Sequence, residues 1–262
     1  MNFSVLNNTP ISRVFSVGFQ GLANRKVTRP QQDRISVNGE LDRLLTQQAI
    51  ADAMTANPII AKILQAKGIN PVINIDNFKN NVYRHSADTR NKAIGIYNFL
   101  PVELKMIANQ NYIQQGALLH DIGKVLIPEN ILNKKGKLNE QELEIMQLHS
   151  KLSEEILSTQ NIAPEVLNIV KYHHQNKQCS GYPIIKNTNQ GFDINTEVVA
   201  LADKFSALKE NRSYKIALTD EKALEILKRQ VEKGEINPKV FNALVGYVNS
   251  ISTTPVKVAN VA

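Results

Sequence analysis

Tryptophan is absent from the 262 residues and only 6% are aromatic, so a core must be built mainly from Leu, Ile, Val and Ala. That composition favours helices packed on helices. A single cysteine, Cys179, excludes an internal disulfide, and the lack of any Cys-x-x-Cys pair excludes a thiolate zinc site. A reducing compartment fits, and a cytoplasmic location is expected. No apolar run is long enough to span a membrane. The most apolar stretch near the start, residues 14–23, is broken by Ser16, Gly18, Gln20 and Gly21 and makes a poor signal peptide. A basic stripe with interleaved aromatics is also missing, which argues against a nucleic acid polymer as partner.

What is present is ordinary for a globular chain: 42% apolar residues, 21% charged, and a formal charge of +7. The Lys and Arg residues are spread along the sequence, as on a solvated basic surface. The sharper reading is long-range attraction for an anionic substrate such as a phosphate ester or nucleotide. Residues 1–38 have no sustained period and read as a flexible tail, a segment through which a protein partner could be recruited. Residues 39–77 read as a helical extension, with one helix over 41–54 and a continuation over 59–64. Phe78, Val82, His85, Thr89, Ala93 and Ile96 then fall on one helical face. Further helices are expected over 102–122, with Gly123 as a left-handed terminator, then 139–159 and 164–174. After a polar loop holding Gly181, Pro183 and Gly191 come helices at 196–208, 219–231 and beyond Pro238. Nothing reads as a sheet, so the fold is expected to be all-α, with a C-terminal tail over 251–262.

The chemistry lies in five histidines, His85, His120, His149, His173 and His174, all in the middle of the chain. A lone histidine on an apolar helix face is more often a hydrogen-bonded core residue than a ligand. The company these residues keep is more telling. Asp121 follows the very apolar residues 116–119 and His120, and Asp203 sits inside an equally apolar segment. A carboxylate in such a place is expensive to bury without a metal, a cation or several donors. His173 and His174 are neighbours, and side chains adjacent on a helix point about 100° apart. Both serve one place only near a helix end or where two ions share a site. Imidazole and carboxylate donors without thiolate suit iron or manganese, and also zinc or cobalt. Two such ions can neutralise phosphate oxygens for attack at phosphorus. Lys124 is placed to hold a phosphate oxygen, and its position equally fits a surface lysine near a helix end.

The string from Leu118 through His120, Asp121, Ile122, Gly123 and Lys124, then Ile127-Pro128 and Ile131 to Lys134, resembles the central signature of HD-GYP domains. His149, the pair His173-His174, Gly181-Tyr182-Pro183, Asp203, Arg212 and Tyr214 follow in the family's order, and His85 fits its first histidine. The similarity runs over about residues 78–248, and the domain is expected over 78–250. The resemblance implies an HD-superfamily helical bundle that hydrolyses cyclic di-GMP to linear pGpG, to GMP, or to both. It implies two divalent metal ions, with His85, His120, Asp121 and Asp203 as the core set and Asp121 bridging. His149, His173 and His174 would complete the second ion's shell. Asp121 and Lys124 would be catalytic, and Lys124, Tyr182 and Arg212 would meet the substrate. Some members add a glutamate where this chain has Asn81, so two ions rather than three are expected here.

The chain departs from the family in one loop. The glutamate after the histidine pair is Gln175, the Trp-Asp-Gly stretch is Lys177, Gln178 and Cys179, and a second aspartate after Asp203 is Ser206. Every expected ligand survives while the substrate-facing loop has drifted. Two alternatives therefore stand beside cyclic di-GMP hydrolysis: turnover of another nucleotide or phosphate ester, and a non-catalytic nucleotide-binding signalling module.

Overall fold

The structure, a computed structural model, describes residues 37–73, 75–185, 192–210 and 216–252. The expected tail is therefore outside the described residues up to residue 36, as are Gly191, Arg212, Tyr214, the side chain of Asn81 and residues 253–262. Among the described residues there are helices and no strand, as the apolar periodicity predicts.

Helices α1 (Val37–Leu44), α2 (Gln47–Ala56) and α3 (Pro58–Gln65) form the extension. A short α4 (Ile75–Phe78) passes through a π-helical turn (Lys79–Tyr83) into α5 (Arg84–Phe99). Then follow α6 (Val102–Lys105), α7 (Gln110–Leu119), a 3-10 turn (Ile122–Leu126), α8 (Glu129–Leu132), α9 (Glu140–Leu157) and α10 (Pro164–Tyr172). The last three are α11 (Ile194–Lys209), α12 (Asp220–Glu232) and α13 (Pro238–Ile251).

The starts of these helices are written in side chains. Thr46, Asn57, Asn109, Asp193, Thr219 and Asn237 each accept a backbone N–H of the first turn. Asn139 and Glu142 form a reciprocal capping box on α9. Proline opens α3, α10 and α13, where its missing N–H and fixed φ do no harm.

Those caps explain where the observed helices differ from the expected ones. The helix expected over 41–54 is two, because Thr46 starts a new one. The helix expected over 102–122 is also broken. Asn109 caps α7 by accepting from the amides of Asn111 and Tyr112, so α6 stops first. Gly123 is not a left-handed terminator: the described glycines at positive φ are Gly68, Gly136 and Gly234. Its role is close approach. A Cβ there would lie 2.2 Å from the His149 carbonyl oxygen and 2.5 Å from the Ser153 nitrogen.

Two hydrophobic clusters hold the bundle together. One joins α5, α7, α11, α12 and α13 through residues such as Ile96, Ile113, Val198 and Phe241. The other packs the extension against the 3-10 turn and α9 through Ile50, Ile60, Leu118, Ile122 and Leu152. Helices α7 and α10 contribute to both, through Ala117 and Leu118 and through Ile169 and Val170. His120 and His173 are the residues that end these two shared helices. No described helix is long and apolar enough to cross a membrane.

Candidate metal centre

Three helices and the ends of two more bring together the residues the sequence singles out. His85 comes from α5, His149 from α9 and Asp203 from α11. His120 and Asp121 leave the end of α7, and His173 and His174 the end of α10. Three groups have ligand atoms within 4.8 Å of one another: His149, His173 and His174; His85, His120 and Asp121; and His120, His173 and Asp203. All seven side chains are therefore in one cluster, and six of them are fully buried, His174 being half-buried.

The ring nitrogens have been sorted by the backbone. Nδ1 of His120, His149 and His173 faces the carbonyl three residues earlier, Ala117, Met146 and Val170, at 2.8, 2.7 and 2.7 Å. A carbonyl can only accept, so each Nδ1 must carry hydrogen, and in a neutral ring Nε2 is then a bare lone pair. Yet His149 Nε2 lies 3.3 Å from His173 Nε2 and 3.1 Å from His174 Nε2. Burial holds His149 down to about 3 and His174 down to about 4, and it also drives His173 far below its ordinary value. His149 and His173, both neutral with Nδ1 committed, point Nε2 lone pairs at each other and repel unless a cation lies between them.

The acids complete this picture. Asp121 spans the cluster: Oδ2 is 3.2 Å from His120 Nε2 and 2.6 Å from the Lys124 ammonium, while Oδ1 is 3.3 Å from His149 Nε2. Asp203 Oδ1 accepts from or faces His85 Nε2 at 2.8 Å and lies 3.7 Å from His120 Nε2. Burial opposes ionisation of both carboxyls. The imidazolium of His120 with Lys124 for Asp121, and His120 with His85 for Asp203, outweigh it and hold both well below the usual range. Burial likewise opposes charge on His120, but Asp121 and Asp203 raise it to about 10. That is the same negative well that would draw a divalent cation.

The fit to metal is carried by the buried atoms that lack partners. His120 Nε2 and Asp121 Oδ1 have no hydrogen bond, although His120 Nε2 is close to Asp121 Oδ2. Burying an ionised carboxylate costs several kcal/mol even after relaxation, on the order of what two buried leucines such as Leu118 and Leu119 contribute. Lys124 offsets part of that cost. The donor set of imidazole nitrogen and carboxylate oxygen suits a first-row divalent ion for the remainder.

Tyr182 stacks on His174, ring centroids 4.5 Å apart at 29°, and stands edge-on to His149. Burial, then the charges of Asp203 and Asp121, push its phenol well above the ordinary value, so it stays protonated. The loop that presents it is tight. A Cβ on Gly181 would fall 2.1 Å from the His174 carbonyl oxygen, which is why glycine precedes Tyr182.

The reading of the sequence assigns no part in the site to several residues that support it. Ser153 accepts from the Gly123 amide at 2.7 Å and donates to the His120 carbonyl at 2.9 Å, tying α9 to the turn after His120. Its spacing, four residues after His149 on the same face, was the available signal. Glu210 Oε2 approaches His85 Nδ1 to 3.8 Å. Asp88 and Ser206, each one turn beyond His85 and Asp203, hydrogen-bond across α5 and α11, and Lys92 joins the same carboxylate. Burial resists the charge on Asp88, and those two donors outweigh it and lower the group.

The fold is a helical bundle that carries a buried histidine–aspartate cluster able to hold metal. Residues 97–240 match a family model described as HD domain, and the chain belongs to that family. It is 40% identical over 155 residues to 3'3'-cGAMP-specific phosphodiesterase 2 of Vibrio cholerae, covering 57% of this chain and 28% of that protein. It is 37% identical over 136 residues to the cyclic di-GMP phosphodiesterase response regulator RpfG of Xanthomonas campestris pv. campestris, covering 51% and 35%. The chain thus spans about a third of the length of these relatives. A solved HDG"Y"P protein of Bdellovibrio bacteriovorus superposes with a TM-score of 0.53 at 14% identity, over 84% of this chain and 73% of that one, a likeness of fold.

Proposed function

We propose that this chain is a metal-dependent phosphodiesterase that opens a cyclic dinucleotide, cyclic di-GMP first, to linear pGpG, GMP or both. The observation that carries this reading is the crowding of His149 Nε2 against the Nε2 atoms of His173 and His174, beside an Asp121 whose two oxygens face different histidines. In this proposal His85, His120, Asp121 and Asp203 hold one divalent ion, and His149, His173, His174 and the other oxygen of Asp121 hold a second. Iron or manganese is the expected pair. Such ions supply Lewis-acid charge for a scissile phosphate.

The chain's own groups do the rest. Lys124 offers its ammonium to a non-bridging phosphate oxygen while steadying Asp121, and Arg212 is assigned a second contact with the phosphate. Tyr182, kept protonated, stands over His174 as a hydrogen-bond donor at the rim. The Nδ1 contacts to helix carbonyls orient the rings before any ligand arrives, which limits reorganisation during the reaction. We assign this activity to residues 78–250 and place the protein in the cytoplasm.

A second substrate, 3'3'-cGAMP, is favoured by the name of the Vibrio cholerae relative and by the drift of residues 175–179. The test is to purify the chain without chelators, count bound metal by elemental analysis, and offer cyclic di-GMP and 3'3'-cGAMP to the same sample. About two ions per chain with release of linear product is the expected result. Full metal content with both substrates intact would overturn the phosphodiesterase reading.

A further inference from the structure

A cavity of about 290 Å³ is lined on one side by Lys124, whose ammonium is 2.6 Å from Asp121 Oδ2. The cavity and the histidine cluster therefore share one side chain. Its walls divide by chemistry. Phe78 and Ile127 are buried and apolar, Val72 stands exposed at the edge, and Glu129 and Asn130 are exposed and polar. An apolar lining with a few polar groups is how a small ligand is held. The volume lies at the low end for ligand sites, roughly 300–1,000 Å³, enough for one base and too small for a dinucleotide. Asn70 and Val72 of the lining precede the domain expected over 78–250, so the extension contributes part of this wall.

We propose that the cavity seats one purine base, guanine in preference to adenine, of the nucleotide whose phosphate meets Lys124. The inference rests on the phosphodiesterase reading for that phosphate. Glu129 carries the choice of base. A carboxylate only accepts, and the guanine edge offers two adjacent N–H donors, whereas adenine sets an acceptor nitrogen against it. Asn130, with both donor and acceptor, completes the edge, and Phe78 and Ile127 cover the ring.

The test uses the full metal-loaded chain, with steady-state kinetics on cyclic di-GMP and cyclic di-AMP and calorimetric titration with GMP and AMP. Glu129→Gln and Asn130→Trp both change exposed side chains, so the fold should tolerate them. Glu129→Gln should raise KM for cyclic di-GMP about tenfold with kcat within about twofold, and should erase the preference for GMP over AMP. Asn130→Trp should fill the mouth and weaken both mononucleotides. Unchanged KM and unchanged GMP affinity in both variants would overturn the base site and leave the phosphodiesterase reading standing. GMP binding that depends on Glu129, in a chain that cleaves no cyclic dinucleotide, would uphold the base site and sink that reading.

Discussion

His174 and Gln175 are neighbours in the chain, and the regions they begin are held by different means. Up to His174 the site is carried on helices and helix ends, with the imidazoles of His120, His149 and His173 oriented by carbonyls of their own helices and buried. From Gln175 to Pro183 there is no helix, and the loop is held by side-chain amides. Buried Gln175 accepts from the Gly181 amide and donates to the Pro183 carbonyl. Gln178 donates to the Lys233 carbonyl at 2.6 Å, and the Lys177 amide to that of Glu235 at 3.1 Å. Gln175 and Gln178, two of the residues that depart from the family pattern, are thus among those that fasten this loop. Ligands have no substitutes once their atoms are committed to a common centre, whereas a loop can be fastened by any side chain that reaches.

Breaking the cluster should have the largest effect. Asp121→Ala removes the carboxylate that spans both sides, so metal content and activity should fall together. The loss should exceed the roughly 10–100-fold that follows removal of an outer partner. Elemental analysis alongside circular dichroism checks this, the helical signal being retained. Normal metal content and turnover would end the bridging assignment.

The pH dependence of the metal-free protein should come next. His149 and His174 are depressed to about 3 and about 4 from an ordinary 6.5. Below 6.5 the unfolded chain binds protons that the folded one refuses, so their contribution is present above that pH and is lost as pH falls towards 4. A loss of a few kcal/mol, as an order of magnitude, is expected across that window in urea titrations of chelator-treated protein. A flat profile would mean that these rings are not buried neutral. His120 acts in the opposite sense. Raised to about 10, it stabilises the metal-free protein fully below 6.5, and that contribution fades as pH rises through about 10.

The loop should respond more mildly and without touching the metal. Gln175→Ala strands the Gly181 amide and the Pro183 carbonyl, at about 1–3 kcal/mol. The expected signature is a higher KM at full metal content. Loss of metal in this variant would show that loop and cluster are not separable. Cys179→Gly should give the smallest change. Cys179 has φ 54, in the left-handed region, at the position where the family carries glycine. Relief of that strain exceeds the added chain entropy by only about 0.5 kcal/mol, a small upward shift in Tm.

Much of the fold was legible because its signals are local. The face formed by Phe78, Val82, His85, Thr89, Ala93 and Ile96 is buried throughout, as its three- and four-residue steps require. Pro164 does open α10, and α9 does begin beside Asn139, where its helix was expected to start. The reading failed where a cap inside an apolar run restarts a helix, as at Thr46 and Asn109, since periodicity does not register a polar residue that lies on the free side. It failed at Gly123 because close approach of another helix leaves no local trace.

By itself, the sequence determined which residues had to lie inside: five histidines on apolar faces and helix ends, and two aspartates in segments too apolar to be solvated. Helix formation depends on neighbours within a turn, so that much is settled by spacing. Only the tertiary structure decided that His85 meets Asp203 from 118 residues away, that Asp121 turns one oxygen to each side, and that Ser153 and Glu210 stand behind the histidines. These contacts depend on how α5, α7, α9, α10 and α11 pack against one another, and packing sums weak contacts over the whole core rather than along one stretch of chain.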